Sequence, residues 1–144
     1  MNRVVDDIIV FYRMFSSFER EEICCGTVSP AQCVLLQTLM EGEWDVSSLA
    51  THSRVTKGAM TRLVDGLVKR DWVARGKSDN DGRRVLVSLT PAGQNEARRL
   101  NCLIANSIGT ILQHIPEDER DGVVHSIRLL RQAAELARTQ LDCC

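Results

Sequence analysis

Two groups of residues in this chain are suited to chemistry. The first is the run Asp81-Gly-Arg-Arg-Val-Leu-Val-Ser-Leu-Thr90, a polar turn with two guanidinium groups leading into an alternating apolar strand. Arginines on the tip of a β-ribbon suit insertion into a DNA minor groove, whose negative potential is strongest where the groove narrows over A·T-rich sequence. The second group is six thiols: Cys24, Cys25, Cys33, Cys102, Cys143 and Cys144. Cys24 and Cys25 are vicinal, Gly26 lets the chain fold back, and Cys33 follows soon after, so three thiols can converge at one junction. Thiolates are soft ligands for Zn, Cu(I) or a metalloid such as As(III). The spacing matches no C-x-x-C zinc signature, so no particular metal is specified. The competing chemistry is oxidation of one thiolate and its capture by a resolving cysteine. Glu19, Glu21 and Glu22 would raise a nearby thiol pKa, which favours the metal or metalloid. Cys33 and Cys102 also read as small buried hydrophobes.

The elements that must position these groups are mostly helical. Val4, Val5, Ile8, Phe11, Tyr12, Phe15 and Phe18 recur at helical spacing, predicting a first amphipathic helix that ends near Glu22. Ser29-Pro30-Ala31-Gln32 is a helix start with the residues of a capping box. Residues 46–52 form a short helix, and Thr56 caps a second that runs to about Arg70. Met60, Leu63, Val64, Leu67 and Val68 face inward on that helix. Lys57, Thr61, Asp65 and Lys69 are left on its outer face. Residues 72–77 are extended, Asp81-Gly82 signals a hairpin, and residues 85–89 alternate. Thr90-Pro91 opens a long helix and Pro116 a last one. The fold class is therefore mainly α (α+β): a winged helix-turn-helix with a two-stranded wing. Residues 29–90 form the DNA-binding lobe, and 1–22 and 91–142 are flanking dimerisation helices of a single 1–144 domain.

Charge agrees with this division. Residues 54–84 hold nine Lys or Arg against four Asp, a net of +5 in a chain whose net charge is −1. A basic module on an acidic body is the footprint of a phosphate-binding face. The outer helices have apolar faces that a lone winged helix does not need. Packing between two chains accounts for them, giving a homodimer whose reading helices lie about one DNA turn apart, roughly 34 Å. In such a dimer Cys102, Cys143 and Cys144 would approach the partner's thiol cluster. No segment reaches the roughly 18 uninterrupted apolar residues of a membrane span. Asp6, Asp7 and Arg13 interrupt the N-terminal pattern, so no signal peptide is expected and the location is cytoplasmic.

Enzyme chemistry finds little support. His52, His114 and His125 form no metalloprotease pair, Gly26, Gly42 and Gly58 are isolated, and Cys24-Cys25 ends a helix instead of starting one.

The order of elements resembles the MarR family of winged-helix regulators, most specifically over residues 45–93. The matching pieces are Leu49-Ala50, the helix 56–67, and Asp-x-Arg-x-x-x-Val-x-Leu-Thr, here Asp81, Arg83, Val87, Leu89 and Thr90, followed by Gly93. Asp71 stands where the family usually has Gly; a left-handed conformation is expected there, and Asp tolerates it better than most residues. The resemblance implies a dimeric regulator of double-stranded DNA, usually a repressor, acting on a pseudo-palindromic operator. Thr56, Lys57 and Thr61 would then reach base edges in the major groove, and Arg62 a base or a phosphate. Gly58 would allow close backbone approach to phosphate. Arg83 would enter the minor groove, steered by a bidentate pair with Asp81, which is alternatively only a turn former. Arg75, Lys77 and Arg84 read as phosphate contacts. No cofactor is required. A soft metal or metalloid on Cys24, Cys25 and Cys33 would draw the first two helices together and change the spacing of the wings. If the cysteines are incidental, a small aromatic ligand would bind near Tyr12, Phe15 and Trp44.

Overall fold

The computed structural model describes residues 3–18 and 28–141. Its elements are α1 (Arg3–Phe18), α2 (Pro30–Leu39), β1 (Trp44–Asp45), α3 (Val46–Ser53), α4 (Lys57–Val68), β2 (Val73–Lys77), β3 (Val85–Leu89), α5 (Pro91–Gln113) and α6 (Glu117–Leu141). The expected mainly helical winged helix-turn-helix is present. The chain divides after Ala105 into two compact units.

In the first unit, capping chemistry sets the helix starts. Ser29 Oγ accepts the Gln32 N–H at 3.2 Å while Gln32 Oε1 accepts the Ser29 N–H at 3.2 Å, closing the capping box. Asp45 Oδ1 accepts the Ser48 N–H at 2.9 Å to open α3, and Thr56 Oγ1 accepts the Ala59 N–H at 3.1 Å to open α4. The turn between these two helices passes through Arg54 in a left-handed conformation, φ 54°. Asp71 adopts φ 58°, the conformation expected where Gly is absent.

The sheet departs from a two-stranded ribbon. It has three antiparallel strands in the order β1-β3-β2. Trp44 pairs with Val87 and Asp45 with Leu86 on one side of β3, and Arg75 pairs with Val87 on the other. The short strand β1 ties the wing's base to the start of α3. The turn also differs from the tight hairpin that Asp81-Gly82 signals, because residues 78–84 separate the strands. A β-turn closes there through the Arg84 N–H donating to Asp81 O at 2.9 Å. Negative φ at Gly82 is enough for it, since Gly42 is the glycine that takes a positive angle among those described.

One core closes this unit. Leu35, Leu36, Leu49, Met60, Val64, Leu67, Val73, Val87 and Leu100 are all fully buried. Leu63 and Val68 pack against that core half-buried, so the inward stripe read on α4 holds. The start of α5 is welded to the wing. Thr90 Oγ1 donates to Asp71 O at 2.5 Å and accepts the Gly93 N–H at 3.0 Å, while the Thr90 N–H donates to Trp72 O at 3.0 Å. A Cβ at Gly93 would lie 1.8 Å from Trp72 O, so only glycine fits this approach.

The second unit is the end of α5 and α6. Arg120 Nε closes their turn by donating to Ile115 O at 2.9 Å. Its apolar residues stay open to solvent, including Ile127 at 56% and Leu130 at 58% exposed. A shallow concavity of about 470 Å³ on α6 is lined by Glu119, Gly122, Val123, Ser126, Ile127 and Leu130. The first unit's α1 shares this openness, with Phe11 at 60% and Tyr12 at 69% exposed. Among the described residues no helix is long and apolar enough to cross a membrane.

Candidate nucleic-acid interface

The start of α4 offers polar groups to a ligand because its apolar stripe turns the opposite face into the core. Thr56, Lys57, Gly58 and Arg62 are exposed and Thr61 is half-buried. The Thr56 hydroxyl already accepts a helix N–H as the cap, which leaves its proton to donate elsewhere. Thr61 Oγ1 donates back to Lys57 O at 2.8 Å, so its lone pairs stay open. A Cβ at Gly58 would meet nothing within 4 Å, so the fold does not require glycine there.

At the wing, β2 carries Arg75 and Lys77 and the turn before β3 carries Arg83 and Arg84, all exposed. Sequence pattern casts Arg75, Lys77 and Arg84 alike, but the structure separates them. Arg75 Nη2 lies 2.6 Å from Asp65 Oδ1, joining β2, an edge strand of the sheet, to α4. Arg84 Nη2 lies 3.1 Å from Asp45 Oδ2, joining the wing to the cap of α3. Neither carboxylate is legible as a partner, since they stand 10 and 39 residues away in sequence. Only the position of Asp45 just before a helix start hints at a role, and that role is capping.

Asp81 also behaves differently from the bidentate steering expected of it. Its Oδ1 accepts the Arg83 backbone N–H at 3.1 Å. With one residue between donor and acceptor, closing this local ring is easier than bending a long guanidinium side chain back. Asp81 is therefore the turn former, and it sets the Arg83 backbone while the Arg83 side chain stays exposed.

Between α4 and the wing lies a cleft of about 700 Å³, with Lys57, Thr61, Asp65, Arg75, Arg83 and Arg84 among its lining residues. Its floor at Asp45 is held ionised. The Ser48 backbone N–H and hydroxyl donate to that carboxylate and hold it below the usual carboxylate range, with the Arg84 charge assisting. A cleft with cations on both rims and the open lone pairs of the Thr61 hydroxyl in one wall has the chemistry to meet phosphates and base edges.

The thiols are dispersed where they are described. Cys33 is 4% exposed within the core of the first unit, and Cys102 is exposed on α5. Cys24, Cys25, Cys143 and Cys144 lie outside the described residues. Among the described residues no three His, Cys, Asp or Glu are grouped to hold a metal. Of the aromatic residues named for a small ligand, Phe15 stacks on Phe11 with ring centroids 5.7 Å apart, and Trp44 packs against the core with His52 at 5.1 Å. Tyr12 is exposed.

Comparison with known proteins gives a consistent pattern. The model of the MarR family matches residues 28–85. An uncharacterized HTH-type transcriptional regulator of Mycobacterium bovis is 31% identical over 116 residues, covering 80% of this chain and 76% of that protein. The HTH-type transcriptional repressor MdtR of Bacillus subtilis is 29% identical over 114 residues, covering 78% and 74%. Among solved structures, Streptococcus pneumoniae FabT in complex with DNA superposes with a TM-score of 0.77 at 17% identity, covering 93% of this chain and 98% of that one.

Proposed function

Because the chain belongs to the MarR family and is a transcriptional regulator, not an enzyme, we propose that it acts in the cytoplasm as a homodimeric repressor of a pseudo-palindromic operator. The first turns of α4 enter the major groove, where Thr56, Lys57 and Thr61 reach base edges and Arg62 a base or phosphate. Gly58 lets the helix backbone approach a phosphate, and Lys77 neutralises another. Arg83 enters the adjoining minor groove from the wing. One observation carries this reading: a single polar cleft has Lys57 and Thr61 of α4 on one side and Arg83 of the wing on the other. The exposed apolar faces of α1 and α6 support the dimer. The test is operator binding at fixed salt, using duplexes from around the gene itself. Arg83→Ala should weaken binding by more than about tenfold, or roughly 1.4 kcal/mol. Unchanged affinity would remove the wing from the interface.

For the effector we propose a thiol-reactive agent, a soft metal or a metalloid such as arsenite, acting at Cys24, Cys25 and Cys33. What supports it is the vicinal pair followed by a cysteine on the second turn of α2. The burial of Cys33 adds a condition: that turn must open before the thiol reacts, so release should be slow relative to binding at exposed thiols. Free thiols counted before and after arsenite, Zn or peroxide separate metal from oxidation. Release by arsenite that survives in a Cys24→Ser/Cys33→Ser protein would dismiss the cluster.

A further inference from the structure

The wing carries four cations, yet two of them are already engaged. Arg75 reaches Asp65 on α4, and Arg84 reaches Asp45 at the cap of α3. Arg83, next in sequence to Arg84, is tied among the described residues only through its backbone to Asp81. The two ion pairs tie β2 to α4 and the turn just before β3 to the cap of α3. A twisted two-stranded ribbon beyond its sheet is easily bent, and β1 supports only residues 86 and 87 of it.

We propose that Arg75 and Arg84 are positioning residues: paired with Asp65 and Asp45, they fix the angle at which the wing presents Arg83, and they are not the wing's phosphate-neutralising groups. Adjacent arginines thus divide their labour, Arg84 holding the ribbon and Arg83 meeting the groove. This rests on the reading of the protein as a DNA-binding regulator.

Geometry favours this assignment over simple phosphate contact. A guanidinium bound to a carboxylate at 2.6 Å brings that carboxylate with it, and the neutralised pair offers a phosphate little net attraction. Asp45 cannot withdraw from Arg84 without leaving the cap, because the same carboxylate accepts from the Ser48 N–H at 2.9 Å and the Ser48 hydroxyl at 2.7 Å. Both pairs are partly exposed, so each should contribute modestly to the angle, about two- to fivefold in affinity.

Salt dependence distinguishes the two roles. Each lost phosphate contact lowers the slope of log affinity against log salt by about 0.9, whereas a lost positioning group changes affinity and leaves the slope in place. The experiment measures operator binding of the full-length protein across a salt series for Arg75→Gln, Arg84→Gln and Arg83→Gln. Arg75→Gln and Arg84→Gln should bind about two- to fivefold more weakly with unchanged slopes, and Arg83→Gln should lower the slope by about 0.9 per protomer. A charge swap supplies the second readout: Asp65→Arg/Arg75→Asp should recover most of the affinity that Arg75→Asp alone loses. Circular dichroism confirms that each variant is folded. A slope reduced by about 0.9 in Arg75→Gln or Arg84→Gln, or a swap as weak as Arg75→Asp, would overturn the proposal. Failure of the unmodified protein to bind any of the duplexes would instead dispose of the DNA-binding reading on which it rests.

Discussion

The winged lobe and the outer helices solve the burial problem differently. In the lobe, α2, α3, α4, the sheet and the start of α5 enclose Leu36, Val64, Leu67 and Val87 at 0% exposure. On α1 and α6 the apolar residues follow the same helical periodicity, yet Phe11, Tyr12, Leu130 and Leu136 stand more than half exposed. Identical patterning therefore has two outcomes, depending on whether the chain itself supplies the opposing surface. The lobe buries its core within one chain, and the apolar faces of α1 and α6 stay open, as the proposed dimer requires.

The sharpest way to break this comparison is to injure the lobe where nothing can yield. Gly93→Ala places a Cβ against the Trp72 carbonyl and should cost about 3 kcal/mol in urea unfolding. A loss below about 1 kcal/mol would mean that the weld is loose. The complementary injury is Ile127→Glu/Leu130→Glu on α6. It should leave the lobe folded by circular dichroism, convert the protein to monomer in sedimentation, and reduce two-half-site binding by about 100-fold. A double variant that remains dimeric would deny α6 its part.

Smaller changes sharpen the account of the lobe. Thr56→Ala removes the cap of α4 and should lower stability by about 1 kcal/mol, whereas Thr56→Ser should restore most of it. The smallest effect is that of Asp45. Its folded-state carboxyl is held below its ordinary value, so its contribution is present above the unfolded pKa and is lost as pH falls through the folded one. Unfolding midpoints followed down to below about pH 4 should therefore fall more steeply in the unmodified protein than in Asp45→Asn, by less than about 1 kcal/mol. Parallel curves would remove Asp45 as the source.

Much of the lobe is legible in the chain. The stripe of Met60, Val64 and Leu67, the Ser29 and Thr56 caps and the backbone angle of Asp71 each follow from local chemistry, and local chemistry is what a sequence displays. The third strand is not legible, because Trp44-Asp45 is too short to show alternation. Nor are the fates of Arg75 and Arg84, which depend on carboxylates brought near only by the fold. Asp81 illustrates the limit from the other side: its spacing to Arg83 allows either the guanidinium or the backbone as partner, and the folded turn takes the backbone.

The junction at Thr90 has a mechanical consequence. Two hydrogen bonds from Thr90 to the Asp71-Trp72 corner, a third that caps α5 on the same hydroxyl, and one bare α-carbon at Gly93 hold the first turn of α5 against that corner. A rotation imposed on that turn must reach the root of the ribbon as torque, undamped, and a lever needs little movement at its fulcrum to swing its tip.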